Sequence, residues 1–369
     1  MSLTVAALSL LVASSGLTQE RPADAEGGAD LAQELPPYHH TTFGMEHSVS
    51  AQTLGVGDDY QTFNPTYTLG FAARARYYLL DDTPRGEHWS VRADGALYTE
   101  LTNNDATTRR GEWSFTDTDL ALVYARRFLG PANTDGTLAE LRPLVLKLPA
   151  SKLSLQSGRY FAAGALVGVN HITPVWPGRV SLPILATLRA AVQYQRWFAR
   201  ATVPTSPQLE RVRLTPDGRS LPGDQLSGSS LTRDELSFTG RLRLAFGESV
   251  LWTVDVGFQP AWKYDIDDEV ELCGVVATGC GSVRVSENDS RYLVNTQVLT
   301  ELSFRIVRSL SFEVGYGNAA SQLGPDGRRR GFFYSPSAIF FASLTFMPHE
   351  LATTTEQQSA RRQTALGQL

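Results

Sequence analysis

Cysteine, basic charge and long apolar runs are all scarce in this chain. Among its 369 residues are two cysteines, three methionines and six histidines. No apolar stretch reaches the roughly 18 residues that a spanning helix needs, which excludes a helical membrane protein. Lys plus Arg number 33 against 38 Asp plus Glu, a net charge of −5. Without a basic stripe, a nucleic-acid partner is not expected. The 31 Gly and 19 Pro are near average, which excludes collagen-like and disordered chains. Taken as totals, 42% hydrophobic and 19% charged residues suit a soluble globular protein. The order of the residues says otherwise.

The N-terminus also lacks something: no Lys or Arg precedes Arg21. Leu3 to Ala13 is nonetheless an apolar stretch followed by small residues such as Val12-Ala13-Ser14, the pattern of a secretory signal peptide over 1–17. No cysteine lies near that cleavage region, so lipid attachment is not expected there. Residues 18–42 are polar with Gly and Pro and read as a periplasmic linker; 348–369 read as a loose polar periplasmic tail. In an exported chain Cys273 and Cys280, in CGVVATGC, are expected to close one local disulfide loop. With no third or fourth ligand nearby, a zinc site is not.

Between about 43 and 347 the apolar period is two. Leu236, Phe238, Leu242, Leu244 and Phe246 share a face against Glu235, Ser237, Thr239, Arg241 and Arg243. Trp252, Val254, Val256, Phe258, Trp262 and Tyr264 oppose Asp255, Gln259 and Lys263. The same alternation predicts strands near 43–53, 66–80, 88–102, 112–128, 140–149, 158–171, 184–199, 234–247, 250–265, 289–307, 309–320 and 331–347. These exceed the usual 5 or 6 residues of globular strands and match the about 9–11 that tilted strands need in hydrocarbon. Of the links after even strands, Gly247-Glu248-Ser249 and Arg308-Ser309 are very tight and Asp81 to Glu87 is short, although those after the fourth and sixth strands are about ten residues. Long polar links, about 54–65, 200–233 and 266–288, follow odd strands. Aromatics gather at strand ends: Tyr77, Tyr78 and Trp89; Tyr124 and Phe128; Trp197 and Phe198; Trp262, Tyr264 and Tyr292; Phe332, Phe333 and Tyr334. Girdles at two membrane interfaces have this pattern.

On these features the region 43–347 resembles the bacterial outer-membrane β-barrel proteins. The likeness is architectural and carries no family-specific motif. It implies an all-β fold, an antiparallel up-and-down transmembrane barrel of about twelve strands. It also implies residence in the outer membrane, contact with its lipid and lipopolysaccharide, and delivery by the barrel assembly machinery. Phe340 to Phe346 looks like the aromatic-ended last strand that this machinery reads, although more than twenty residues follow it and the usual Gly is missing.

Chemistry is sparse. A twelve-stranded phospholipase class carries His and Ser at H-x-S spacing, one face of one strand. Here His47 is followed at 49 by Val, while Ser48 and Ser50 point away from it, so no enzyme and no cofactor is expected. The inward charges are of both signs: Arg74, Arg76, Arg92, Asp94, Glu100, Asp117, Asp119, Lys147, Arg189, Arg241, Arg243, Asp255, Lys263, Glu301, Arg305 and Glu313. Two readings stay open. One is a narrow lumen filled by interlocking ion pairs with a structural or surface-interaction role. The other is a hydrated passive channel whose opposed basic and acidic walls orient a small polar solute. Leu144 to Gly158 faintly resembles a Pro-small-residue turn of solute-channel barrels. In the outer loops, Asp265, Asp267, Asp268, Glu269 and Glu271 form a weak Ca²⁺ candidate without a calcium loop's spacing. Arg328, Arg329 and Arg330, with Arg109 and Arg110, are candidates for lipopolysaccharide phosphates or for that acidic loop.

Overall fold

Where apolar and polar residues alternate, the chain is strand, and each strand bonds to the next. The computed structural model describes residues 37–351 apart from 52, 55–65, 83–85, 103–110, 130–135, 176–183, 203–212, 215–219, 222–229, 266–268, 277–278, 285–290, 323–330 and 336–337. The expected leader, nearly all of the linker and tail, and Arg109, Arg110, Asp267, Asp268, Arg328, Arg329 and Arg330 lie outside the described residues.

Twelve strands form the wall: β1 (Thr42–Ser50), β2 (Tyr67–Asp82), β3 (Glu87–Glu100), β4 (Thr118–Leu129), β5 (Gly136–Leu148), β6 (Arg159–Pro174), β7 (Ile184–Ala199), β8 (Thr232–Phe246), β9 (Val250–Lys263), β10 (Tyr292–Val307), β11 (Leu310–Ser321) and β12 (Ile339–Phe346). Every neighbouring pair is antiparallel, and β1 pairs with β12 from Phe43 opposite Phe346 to Ser50 opposite Ile339. That last pairing closes the barrel. Closure is what hydrocarbon demands, because no water is present there to bond an open edge. A three-residue strand, Trp113–Phe115, runs beside β3 ahead of β4, and a short helix, α1 (Lys152–Gln156), sits between β5 and β6.

The two faces of the wall differ as the alternation requires. Val167, Leu188 and Ile306 are 57%, 50% and 58% exposed on the outside, whereas Thr253, Asp255 and Glu301 inside are 1%, 7% and 4% exposed. In water such an outer face would be unstable; in lipid it is the solvated surface. The wall is a transmembrane β-barrel. β2, β6, β7 and β10 have 16 residues each, about 50 Å of chain at roughly 3.3 Å per residue, so they project beyond the bilayer. Both described chain ends and the short links share one end of the barrel, the terminal end; the long links share the other, the loop end. Gly86 and Gly247 make short links possible at φ of 61°, a conformation that costs glycine nothing.

Several expectations need correction. The last strand begins at Ile339, not near 331: Phe332, Phe333 and Tyr334 lie outside it, and Asn318 Nδ2 donates to the Phe332 carbonyl at 2.9 Å. The fourth strand is interrupted at Thr116-Asp117. Two girdle aromatics are inside instead: Tyr78 is 8% and Trp197 5% exposed. Tyr77, Phe128, Phe198, Trp262 and Tyr292 do face outward, the last two with ring centroids 5.8 Å apart.

Candidate functional site

The lumen is the site, and its inward residues form three levels. The middle level is ionic. Asp94 on β3 accepts from Arg74 Nε at 2.8 Å and from Arg92 Nε at 2.5 Å. Glu140 on β5 accepts from Arg142 Nε at 2.6 Å, and Arg189 Nη2 on β7 reaches it at 3.1 Å. Arg241 on β8 and Asp255 on β9 are direct cross-strand neighbours joined by a two-bond fork, with Nη2 to Oδ2 at 3.0 Å. Arg243 follows on β8 opposite Thr253. Beyond β9 the wall turns acidic: Glu301 on β10, Glu313 on β11 and Glu46 on β1 are all buried. Glu313 accepts from Ser343 Oγ at 2.8 Å and from Ser311 and Thr345 hydroxyls at 3.3 Å. Arginines thus concentrate on β2–β8 and carboxylates on β10–β1, and an unpaired charge on either side would be costly at this depth.

Toward the loop end apolar side chains take over. Tyr98 (β3), Leu299 (β10), Ile339 and Phe341 (β12) pack as one buried cluster with Ala319 against it. The Phe341 ring occupies the notch left by Gly315, where an added Cβ would sit 2.2 Å from Phe341 Cζ. Beside this cluster α1 folds onto the wall: Ser154 Oγ donates to Asp117 at 2.6 Å, the Ser151 amide donates to the same carboxylate at 3.0 Å, and Lys152 pairs with Glu112 at 2.6 Å. Lys147 and Asp119 are 3.6 Å apart, and Arg159 lies 4.3 Å over the buried Trp197 ring. The segment from Leu144 to Gly158 is therefore partly wall and partly lumen mouth.

At the terminal end four of the six histidines converge. The Tyr78 amide donates to the Pro37 carbonyl at 2.7 Å, which lays the chain start against β2. His39 stacks on Tyr78 at 3.8 Å, 4.7 Å from His40; His40 meets His349 at 5.6 Å, and His88 meets Tyr78 at 5.4 Å. His40 holds φ at 65°, the sole non-glycine positive φ among the described residues. Arg76 and Asp81 on β2 and Glu350 beside His349 complete the charged surroundings. Burial, then His39, Arg76 and the other histidines, hold the His40 ring well below the ordinary 6.5, and burial also lowers His349. A base with a depressed pKa docks neutral. The docked ends are therefore fully favoured above pH 6.5 and lose that preference as pH falls below it toward the lowered values. In hydrogen exchange, corrected for intrinsic rates, the Tyr78 amide is expected to open more readily at mildly acidic pH than at neutral pH while β7 amides do not change. Equal protection at both pH values would contradict this.

Other expected positions fall as follows. Arg76 donates to Ser90 Oγ at 3.3 Å, and Arg305 stands on β10 opposite Ser311, both nearer the terminal end. Glu100 and Lys263 end their strands at the loop end, away from the ionic level. His47 faces outward and bonds the Tyr67 hydroxyl at 2.9 Å, with Ser48 and Ser50 on the inner face. Asp265 is engaged in an exposed 3.0 Å pair with Arg291, and among the described residues no group of acidic or histidine side chains is arranged to hold a metal ion. Glu269 opens a hairpin, Glu269–Val276 with Gly279–Arg284, whose register sets Cys273 opposite Cys280.

The alternation rule missed Glu140 and Arg142. Between Arg142 and Val145 the register of β5 against β6 shifts, so the inward parity is even before the bulge and odd after it. Counting back from Lys147 puts both residues on the lipid side. Pro143, with no amide hydrogen for a ladder, was the available signal.

No family model matches the chain, and no curated protein matches it in sequence. Solved structures share its barrel outline. An outer membrane channel from Pseudomonas putida F1 is 10% identical, with 88% of this chain and 99% of that chain covered and a TM-score of 0.46. The KdgM porin is 7% identical over 83% and 98% of the two chains at a TM-score of 0.32. The transport unit of the autotransporter AIDA-I from Escherichia coli is 11% identical over 93% and 98% at 0.40. Likenesses at this level leave function to be argued from the lumen itself.

Proposed function

We propose that the protein is a narrow passive channel for small polar solutes in the outer membrane of a bacterium. One observation carries this reading. Arg92 and Arg189 in the ionic level, with Lys147 and Asp119 nearer the loop end, keep 18%, 17%, 23% and 29% of their side-chain surface within reach of water. They point inward from a wall whose outer face is apolar, so that water belongs to the lumen. A twelve-strand barrel lies between the filled eight-stranded type and open porins, a width that suits small solutes. The test is conductance of the refolded protein in planar bilayers: discrete open steps are expected, and silence from a correctly folded, heat-modifiable preparation rejects the channel.

A second reading, a structural or surface-interaction barrel with a blocked lumen, draws on the deep burial of Glu100, Leu299, Thr253 and Glu301. Silence in the same experiment would favour it. On the loop side we also propose a Cys273–Cys280 bridge, from their facing register. An intact mass that does not rise by two hydrogens on reduction would exclude it.

A further inference from the structure

Charge in the middle level does not balance locally. Asp94 serves two guanidinium groups, Arg74 and Arg92, and Glu140 serves two more, Arg142 and Arg189. Each trio carries one positive charge more than its carboxylate cancels. The trios are also close: Arg92 interacts electrostatically with both Glu140 and Arg142. Between them on β4, Asp119 stands opposite Asp94 and is taken up by Lys147, 3.6 Å away. The register runs from Arg92 to Ala121 to Val145, part of an apolar floor with Val123, Leu166 and Ala191.

The acids that would restore neutrality are on other strands and are occupied differently. Glu313 is held by three hydroxyl donors and offsets charge on Arg74, and Glu301 lies on β10 beyond the Arg241–Asp255 fork, where it acts on Arg243 and Arg241. Arg189 Nε is buried and has no hydrogen-bond acceptor. A fixed positive charge enclosed by a membrane-spanning wall needs a counter-charge. When the wall does not supply it, a mobile anion from the lumen water can. Guanidinium groups, with their planar forked donors, match carboxylate and phosphate oxygens.

We propose that Arg92, Arg142 and Arg189 form an oxyanion-binding station in the lumen, and that the channel passes small carboxylate- or phosphate-bearing solutes in preference to cations. The selectivity half rests on the channel reading; the station does not. Reversal potentials in a KCl gradient test the first. Wild-type protein is expected to favour chloride several-fold. Arg92→Gln with Arg142→Gln should abolish that preference, and Glu140→Gln, which frees two guanidinium groups, should increase it. Malonate and inorganic phosphate should each reduce the chloride current in wild type but not in the double variant, and a difference between them identifies the preferred oxyanion. Cation preference in wild type, or a selectivity unmoved by all three substitutions, overturns the proposal while leaving the channel intact. If folded wild type is silent, the channel reading fails and the station is judged separately. Phosphate or malonate at low salt should then raise the heat-modification midpoint of wild type and not of the double variant; no rise in wild type overturns the station.

Discussion

Phe341→Ala is expected to raise single-channel conductance several-fold. The ring is one of the two aromatic side chains of the apolar cluster at the loop end, and it reaches its place only because residue 315 is glycine. The cluster bridges β3 and β10–β12, strands well separated around the wall, so its side chains lie across the lumen rather than along it. Apolar constrictions of this kind oppose conduction by excluding water. Removing the ring leaves room for water beside Gly315. The substitution also costs stability, about 3–5 kcal/mol where such a site cannot collapse, so folding is checked by heat-modifiable migration at low temperature. Tyr98→Ala removes the opposite side of the cluster and should give a smaller rise. Unchanged conductance in both variants would mean that the constriction lies elsewhere.

Gly164→Ala is expected to be the most disruptive single methyl group in the barrel wall. An added Cβ would lie 2.0 Å from the Tyr194 carbonyl oxygen and 2.9 Å from Gln195 Cα. Both are backbone, so no rotamer change relieves the overlap, and β6 and β7 must part. Overpacking of this kind costs about 3 kcal/mol or occasionally more. The check is the urea midpoint for loss of the compact, heat-modifiable band. Gly70→Ala is the control, because its nearest neighbour is Tyr98 Cβ at an ordinary 3.8 Å. Equal midpoints for the two variants would show that the β6–β7 contact can relax.

The architecture was legible because lipid imposes a simple rule on sequence. Each wall strand must alternate, run long and turn quickly at one end, and all three signs are visible from Thr232 to Phe246 and on through Gly247-Glu248-Ser249 to Lys263. The ionic level was legible in part for the same reason: Arg74, Arg92, Asp94, Arg241 and Asp255 lie on uninterrupted alternation. Glu140 and Arg142 were not, since a bulge reverses parity without changing composition. Leu299 and Phe341 also escaped, because an inward apolar residue breaks the expectation that the lumen is polar. Tyr78 and Trp197 fit girdles by position, but the interior holds them through His39 and Arg159. The histidine group could not be read at all. His39, His88 and His349 become neighbours only when the two ends of the chain meet.

That meeting has a consequence for how the barrel comes into being. Every wall pairing joins consecutive strands except β1 with β12, which links residues some three hundred positions apart along the chain. Eleven pairings can therefore be laid down one hairpin after another at small entropic cost, and one must wait for the entire polypeptide. Until Phe43 finds Phe346, the nascent sheet keeps two bare edges that hydrocarbon cannot tolerate. The seam that completes the wall also involves its two shortest strands. Birth of this barrel is accordingly a single late event, and a chain that stops before Ile339 has no smaller barrel to settle for.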